Sequence, residues 1–171
     1  MLFKGLWDYS KVETPYPYGE TTTYKLGLAF LDGYGDIEDW GCGLAFAKSL
    51  VKKSNYKGID GSWSKFADAT VDLETYTSSV DCIFIRHVLE HNHNWKKILE
   101  NAVKSFKKRM VIILFTPLSE GPTHTINGNP DYSFYLPDIT DHLKDFKYNI
   151  EKIESKTQYA IEHIIYVERV K

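Results

Sequence analysis

The stretch Ile37-Glu38-Asp39-Trp40-Gly41-Cys42-Gly43-Leu44-Ala45 decides the fold. A short strand ending over Ile37 to Asp39 runs into the turn Gly41-Cys42-Gly43. From Leu44 to Lys53 the apolar residues Leu44, Ala47, Leu50 and Val51 recur at helical spacing. Strand, glycine turn, helix is the opening unit of a doubly wound sheet. A helix that starts at such a turn offers unpaired amides and an electropositive end, so a ligand can approach the main chain closely.

Downstream, Asn55 to Ile59 reads as the next strand, closed by Asp60-Gly61-Ser62. Residues 63–70 leave room for one or two helical turns, Trp63 to Ala67, before a third strand over Ala69 to Leu73. Asp81 to Ile85 is an apolar strand that stops at Arg86-His87. Asn94 to Lys107 predicts a helix with Ile98, Leu99, Ala102, Val103 and Phe106 on one face and lysines on the other. Met110 to Phe115 has the unbroken apolar character of a buried strand, ended by Thr116-Pro117. Pro122, Pro130, Pro137 and Asn127-Gly128 mark 118–137 as a long loop, of the kind that carries function. Ile139 to Phe146 predicts a short helix. Tyr148 to Ser155 and Ile161 to Val167 then form an antiparallel pair at one sheet edge.

Upstream, residues 21–32 predict a helix with Tyr24, Leu26, Ala29 and Phe30 near one face. Residues 1–20, with Phe3, Trp7, Tyr9, Tyr16 and Tyr18 among prolines and glycines, form an aromatic arm, either packed on the domain or closing a pocket as a lid. The expected architecture is α/β: a doubly wound, mostly parallel sheet of six to seven strands with an antiparallel C-terminal edge. Helices cover both faces, and 21–171 form one domain.

Composition bounds the rest. A chain of 171 residues, 43% hydrophobic and 26% charged, can bury a core and is not disordered. Lys and Arg number 21 against 23 Asp and Glu, a formal charge of -2, which removes the reason to expect a nucleic-acid surface. No apolar run is long enough for a membrane span, and no secretory leader is visible. Cys42 and Cys82 read as free thiols of a cytoplasmic protein, a monomer or homodimer.

The acids around the turn narrow the chemistry. Asp60, at the end of the second strand, can hold a pair of ribose hydroxyls through charge-assisted bonds. Asp39, two residues before Gly41, would repel a pyrophosphate and suits an ammonium or sulfonium. A nicotinamide oxidoreductase is therefore the weaker alternative, the more so because Phe46 occupies a position where that fingerprint needs a small residue. A phosphate-binding loop fails, because no Gly-Lys-Ser/Thr follows the glycines.

These residues carry a resemblance. Glu38 to Ala45 resembles the first motif of class I S-adenosylmethionine-dependent methyltransferases, and Tyr56-Lys57-Gly58-Ile59-Asp60-Gly61-Ser62 resembles their second. Val80 to His91 is similar to their fourth strand in the compact form that ends in Val88-Leu89-Glu90-His91. Met110 to Pro117 is similar to their fifth. Ala45 stands where the family often has a third glycine. The resemblance implies S-adenosylmethionine as methyl donor and S-adenosylhomocysteine as product. It implies Gly41 and Gly43 under the methionine part, Asp39 by its amino group, Asp60 at the ribose hydroxyls and Gly61 and Ser62 beside the adenosine. Trp40 and Cys42 belong to the same turn, with a core aromatic and a small buried residue as their other readings. Asp72-Leu73 would flank the adenine, with Asp68 the alternative to Asp72, and Arg86 and His87 would close the pocket.

For the acceptor side, His87 directly after the fourth strand is the candidate general base. Arg86 is a candidate clamp for an acidic acceptor or a partner of Glu90. His87, His91, His93 and His124 lack a convincing zinc set, so no metal is expected. Tyr18, Thr116, His124 and Tyr132 are the remaining substrate-side candidates. Arg86-His87-Val88-Leu89 replaces the Asn-Pro-Pro-Tyr pattern that the family associates with base or glutamine nitrogens. A small molecule or sugar, methylated at oxygen, is the expected acceptor, with an inactive cofactor-binding partner subunit as a further alternative.

Overall fold

The computed structural model describes residues 7–127 and 131–170, so Phe3, Gly128 and Pro130 lie outside the described residues. In chain order the elements are α1 (Thr22–Leu31), β1 (Ile37–Trp40), β2 (Tyr56–Asp60), β3 (Ala69–Thr70) and β4 (Val80–Arg86). They continue with α2 (Trp95–Ser105), β5 (Phe106–Leu114), β6 (His124–Ile126), β7 (Asp131–Ser133), α3 (Leu136–Thr140), β8 (Lys147–Glu154) and β9 (Ile161–Glu168). Seven strands form one sheet in the order β3-β2-β1-β4-β5-β9-β8, and β6 with β7 forms a separate hairpin. The first five strands of the sheet run parallel, and β9 is antiparallel to both β5 and β8.

Strand alternation builds two cores. Cys82 and Phe84 of β4, with Val111 and Ile113 of β5, face α1 through Tyr24, Leu28 and Leu31. Ile83, Ile85, Met110 and Ile112 face α2 and α3 through Ile98, Leu99, Ala102 and Ile139. Covered on both faces, β4 is apolar from Cys82 to Ile85 and β5 from Met110 to Leu114. Among the described residues no helix is long and apolar enough to cross a membrane.

The local elements differ from the sequence reading in instructive ways. After the glycine turn the chain forms only a 3-10 segment, Phe46–Leu50, instead of a helix over Leu44 to Lys53. Asp32 ends it: its carboxylate accepts the amides of Lys52 (2.9 Å), Lys53 (2.9 Å) and Ser54 (2.8 Å), drawing the chain back toward the start of β2. No helix dipole therefore acts at the turn. Residues 63–67 make a turn rather than a helix, and the Asp68 carboxylate ties them to β2 by accepting the Gly58 amide (2.8 Å).

The buried face of α1 is Thr23, Tyr24, Gly27, Leu28 and Leu31, while Leu26 points outward. Thr23 is turned inward by its bond to Glu162 (3.0 Å), a cause that hydropathy cannot register. Helix α2 passes into β5 without a loop, so Lys107 and Lys108 belong to the strand and reach Asp81 at 3.7 and 3.3 Å. The stretch 118–137 contains β6, β7 and the start of α3 rather than only loop. The last strand, β9, lies inside the sheet, and β8 forms the edge.

Candidate active site

The carboxyl ends of β1, β2 and β4 meet at a cavity of about 550 Å³, where open parallel sheets place their ligand sites. Its floor is the glycine turn. The amides of Gly41 and Cys42 both donate to the Ile59 carbonyl (2.8 and 3.0 Å), which pins the turn to β2. Gly41 and Gly43 have φ of +77° and +53°, open to glycine at little cost. A Cβ on Gly41 would run into the Val88 side chain. One on Gly43 would lie 3.2 Å from the Tyr18 ring and 3.3 Å from the Tyr9 hydroxyl. The turn is thus covered from above by the aromatic arm.

Asp60 completes the floor by accepting the Gly43 amide (2.8 Å) and the Ser62 amide (2.7 Å), one on each oxygen. Each oxygen keeps a second lone pair for a ligand hydroxyl. Burial raises its carboxyl above the usual range against these amide bonds. Asp39 is 4% exposed and accepts the Tyr56 hydroxyl at 2.6 Å. Burial pushes its carboxyl up to about 7, against the Tyr56 bond, with Asp60 adding to the rise. Two desolvated carboxylates side by side favour a ligand that brings positive charge and hydroxyl donors. Cys42 packs its sulfur against Gly58, and burial raises its thiol far above the reactive range.

Across the cavity stand Arg86 and His87. Arg86 is buried, stacks its guanidinium 3.9 Å from the Tyr24 ring centre and donates to Thr23 (3.1 Å), the Tyr18 carbonyl (3.0 Å) and Glu162 (3.0 Å). Its carboxylate partner is therefore Glu162 of β9, not Glu90. Glu90 instead receives the Phe115 amide (2.6 Å), and burial raises its carboxyl to about 8. His87 has φ of +57°, the left-handed region in which a residue other than glycine stores roughly 1–3 kcal/mol. Its Nε2 lies 2.6 Å from Glu162, and burial lowers the imidazole to about 4 despite that bond. Donors from His87, Arg86 and Thr23 hold the Glu162 carboxyl below its usual range although burial opposes them. His91, paired with Asp131 at 3.0 Å, faces the same space, and Phe115 lies between the two imidazoles at 4.8 and 5.3 Å.

Of the residues singled out in the sequence, Asp39, Gly41, Cys42, Gly43, Asp60, Gly61, Ser62, Leu73, Arg86, His87 and Tyr18 line this one cavity. Five others lie elsewhere. Trp40 is fully buried in the α2-side core, donating from Nε1 to Glu38 (3.0 Å). Asp72 is exposed and accepts the Glu74 amide (3.0 Å), so the adenine side offers Leu73 without an acid from 72 or 68. Thr116 donates to the Tyr132 carbonyl (2.7 Å), Tyr132 pairs with His93 (2.9 Å), and exposed His124 bonds the Pro122 carbonyl (3.0 Å). Among the described residues of 118–137, Asp131 alone lines the cavity.

The sequence reading missed Glu162, Asp131, Phe115 and the 156–158 turn. Glu162 was the most accessible of these: in Ile161 to Val167 it falls in phase with Ile164, a charge on a face the alternation assigns to the core.

No protein-family model matches the sequence, and no curated protein sequence matches it significantly. Solved structures do. Magnesium protoporphyrin IX methyltransferase of Synechocystis PCC 6803 with bound SAH aligns at a TM-score of 0.66 and 16% identity, over 86% of this chain and 82% of its own. N-methyltransferase NodS of Bradyrhizobium japonicum WM9, in complex with S-adenosylhomocysteine, aligns at 0.62 and 13%, over 87% and 85%. The mitomycin 7-O-methyltransferase MmcR aligns at 0.56 and 13%, over 86% and 54%. The chain has the class I methyltransferase fold. Nitrogen and oxygen methyltransferases both occur among these structures.

Proposed function

We propose that this chain is a cytoplasmic S-adenosylmethionine-dependent methyltransferase acting at a hydroxyl oxygen of a small molecule or sugar. The observation that carries the reading is the pair of buried carboxylates, Asp39 and Asp60, joined through the glycine turn at the cavity floor. The residues suit this cofactor. Asp39 would take its ammonium or sulfonium charge, Asp60 its ribose hydroxyls, the main chain of Gly41 and Gly43 would lie along its methionine part, and Leu73 supplies an apolar wall for the adenine. When bound, S-adenosylmethionine supplies a methyl carbon on a positively charged sulfur, whose bonding pair leaves with the sulfur as the new bond forms.

The chain's own contribution is orientation, exclusion of water and one proton site. Tyr9 and Tyr18 of the arm cover the glycine turn, and Phe115, with Trp7 and His91, gives the acceptor half an aromatic lining that can seat a ring. A sulfonium is electrophilic enough that an amine or carboxylate acceptor needs no base, whereas a neutral hydroxyl gains from one. His87, neutral at physiological pH and lining the cavity, accepts that proton. Arg86 is engaged by Glu162 and Thr23, so we read it as structural rather than as an acceptor clamp.

The other readings are weaker on specific grounds. A nicotinamide enzyme would set a pyrophosphate against two buried carboxylates. An inactive partner subunit would have its acceptor side filled, yet the cavity runs from Gly41 to His87, His91 and Asp131. The test is transfer of isotope-labelled methyl from S-adenosylmethionine to a panel of sugars and small hydroxylated aromatics. Labelled ether product, lowered about 10²- to 10⁴-fold by His87→Asn, is the expected result. Product labelled at nitrogen only, or transfer indifferent to His87, would overturn the oxygen assignment.

A further inference from the structure

We propose that Glu162 is the positioning residue of the site: its carboxylate holds the Nε2–H of a neutral His87 and thereby keeps Nδ1 free to take the acceptor's hydroxyl proton. The proposal rests on the methyl-transfer reading above and adds to it the group that sets the tautomer of the base.

The geometry around Glu162 is more specific than an ion pair requires. Glu162 is fully buried, and its Oε1 alone receives Thr23 (3.0 Å), Arg86 (3.0 Å) and His87 (2.6 Å). Its Oε2 is buried with no hydrogen-bond partner among the described residues. A carboxylate that pairs with an arginine frequently uses both oxygens, since the guanidinium fork fits them in parallel. Here the second oxygen is given up and every donor converges on the one nearest the imidazole. Thr23 and Arg86 fix where that oxygen sits, and the oxygen fixes the ring.

Charge accounting assigns the proton. Arg86 already balances Glu162, so His87 need not be cationic to bind it and donates as neutral imidazole. The bond at Nε2 leaves Nδ1 without a partner among the described residues, on a ring that lines the cavity. The backbone is held as well: the His87 amide donates to the Ile113 carbonyl (3.0 Å), and Phe115 packs on the ring at 4.8 Å. In the reaction the hydroxyl O–H bond breaks, its proton goes to Nδ1, and its electron pair stays with the oxygen to form the bond to the methyl carbon. The resulting imidazolium is met by Glu162 at Nε2.

The test is long-range proton–nitrogen NMR of the full-length chain with ¹⁵N-labelled histidine at pH 7, His87 being assigned by His87→Asn. The expected spectrum shows His87 protonated at Nε2 only. Protonation at Nδ1 alone, or at both nitrogens, overturns the proposal, and this reading needs no variant of Glu162 to fold. In Glu162→Asp, which keeps a charge opposite Arg86 but withdraws it by one methylene, we expect His87 to become a mixture of tautomers. A single Nε2–H tautomer unchanged in folded Glu162→Asp overturns the role of Glu162. Titration with S-adenosylhomocysteine separates the two claims. Failure to bind it removes the transfer reading and with it the base, whereas binding with the wrong tautomer removes only the role of Glu162.

Discussion

At the scale of single residues, the site joins two buried acids whose charge is unmet until a ligand arrives. Asp39, raised to about 7 by burial from an ordinary 3.8, is largely protonated below neutrality in the free protein. A cationic ligand favours the carboxylate, so affinity for S-adenosylmethionine should rise severalfold from pH 6 to pH 8 and then level. Calorimetry in Asp39→Asn should show a flat profile over the same range. The same shift fixes the sign for stability: the raised carboxyl favours the folded state below pH 3.8 and that contribution is lost as pH rises through 7. Unliganded Asp39→Asn should therefore be more stable than wild type at pH 8 in chemical denaturation, by an amount on the order of 2–4 kcal/mol. Trp40 makes the opposite case. Sealed in the core with its Nε1 on Glu38, it should lose about 1–2 kcal/mol in chemical denaturation as Trp40→Phe and leave affinity for S-adenosylhomocysteine within twofold. A tenfold loss of affinity in that variant would put Trp40 back in the site.

At the scale of elements, what the sequence disclosed followed whether an element is governed by its own pattern or by a distant partner. The apolar runs Cys82 to Ile85 of β4 and Met110 to Leu114 of β5 are buried on both faces and so legible, and Asp39, Asp60 and His87 stand out as polar residues at or beside the carboxyl ends of β1, β2 and β4. The segment after the glycine turn was misread because Asp32, more than ten residues earlier, captures the amides that would have continued a helix. The inward face of α1 was misread because Thr23 answers Glu162 from the far end of the chain. Asp72 was misread because the two-residue β3 leaves it in an exposed turn with its carboxylate on the Glu74 amide. The arm is the element with a functional reading of its own. Tyr9 and Tyr18 lie over Gly43, and the Tyr18 carbonyl is held by Arg86, so we read it as the lid of the cofactor half. Lys11 is exposed within it. Tryptic cleavage there should slow about tenfold in saturating S-adenosylhomocysteine, as followed by mass spectrometry, and an unchanged rate would show that the arm does not close on the ligand.

At the scale of the molecule, seven strands and two unlike cores serve to bring the ends of β1, β2 and β4 to one place. The transverse bonds there do the coupling: Gly41 and Cys42 to Ile59, Gly43 to Asp60, and Arg86 and His87 to Glu162. A ligand that bridges these strands should stabilise the fold as a unit. S-adenosylhomocysteine at one hundred times its dissociation constant should add about 2.7 kcal/mol and raise the melting temperature by roughly 5–11 °C. We propose that the Asp60 end of this cavity holds S-adenosylmethionine, and calorimetric titration of the purified chain is the first test. S-adenosylmethionine and S-adenosylhomocysteine should bind at micromolar concentration and NAD not at all, with a loss of about a hundredfold or more in Asp60→Ala. No binding of either ligand to the wild-type chain, or equal binding to Asp60→Ala, would contradict it.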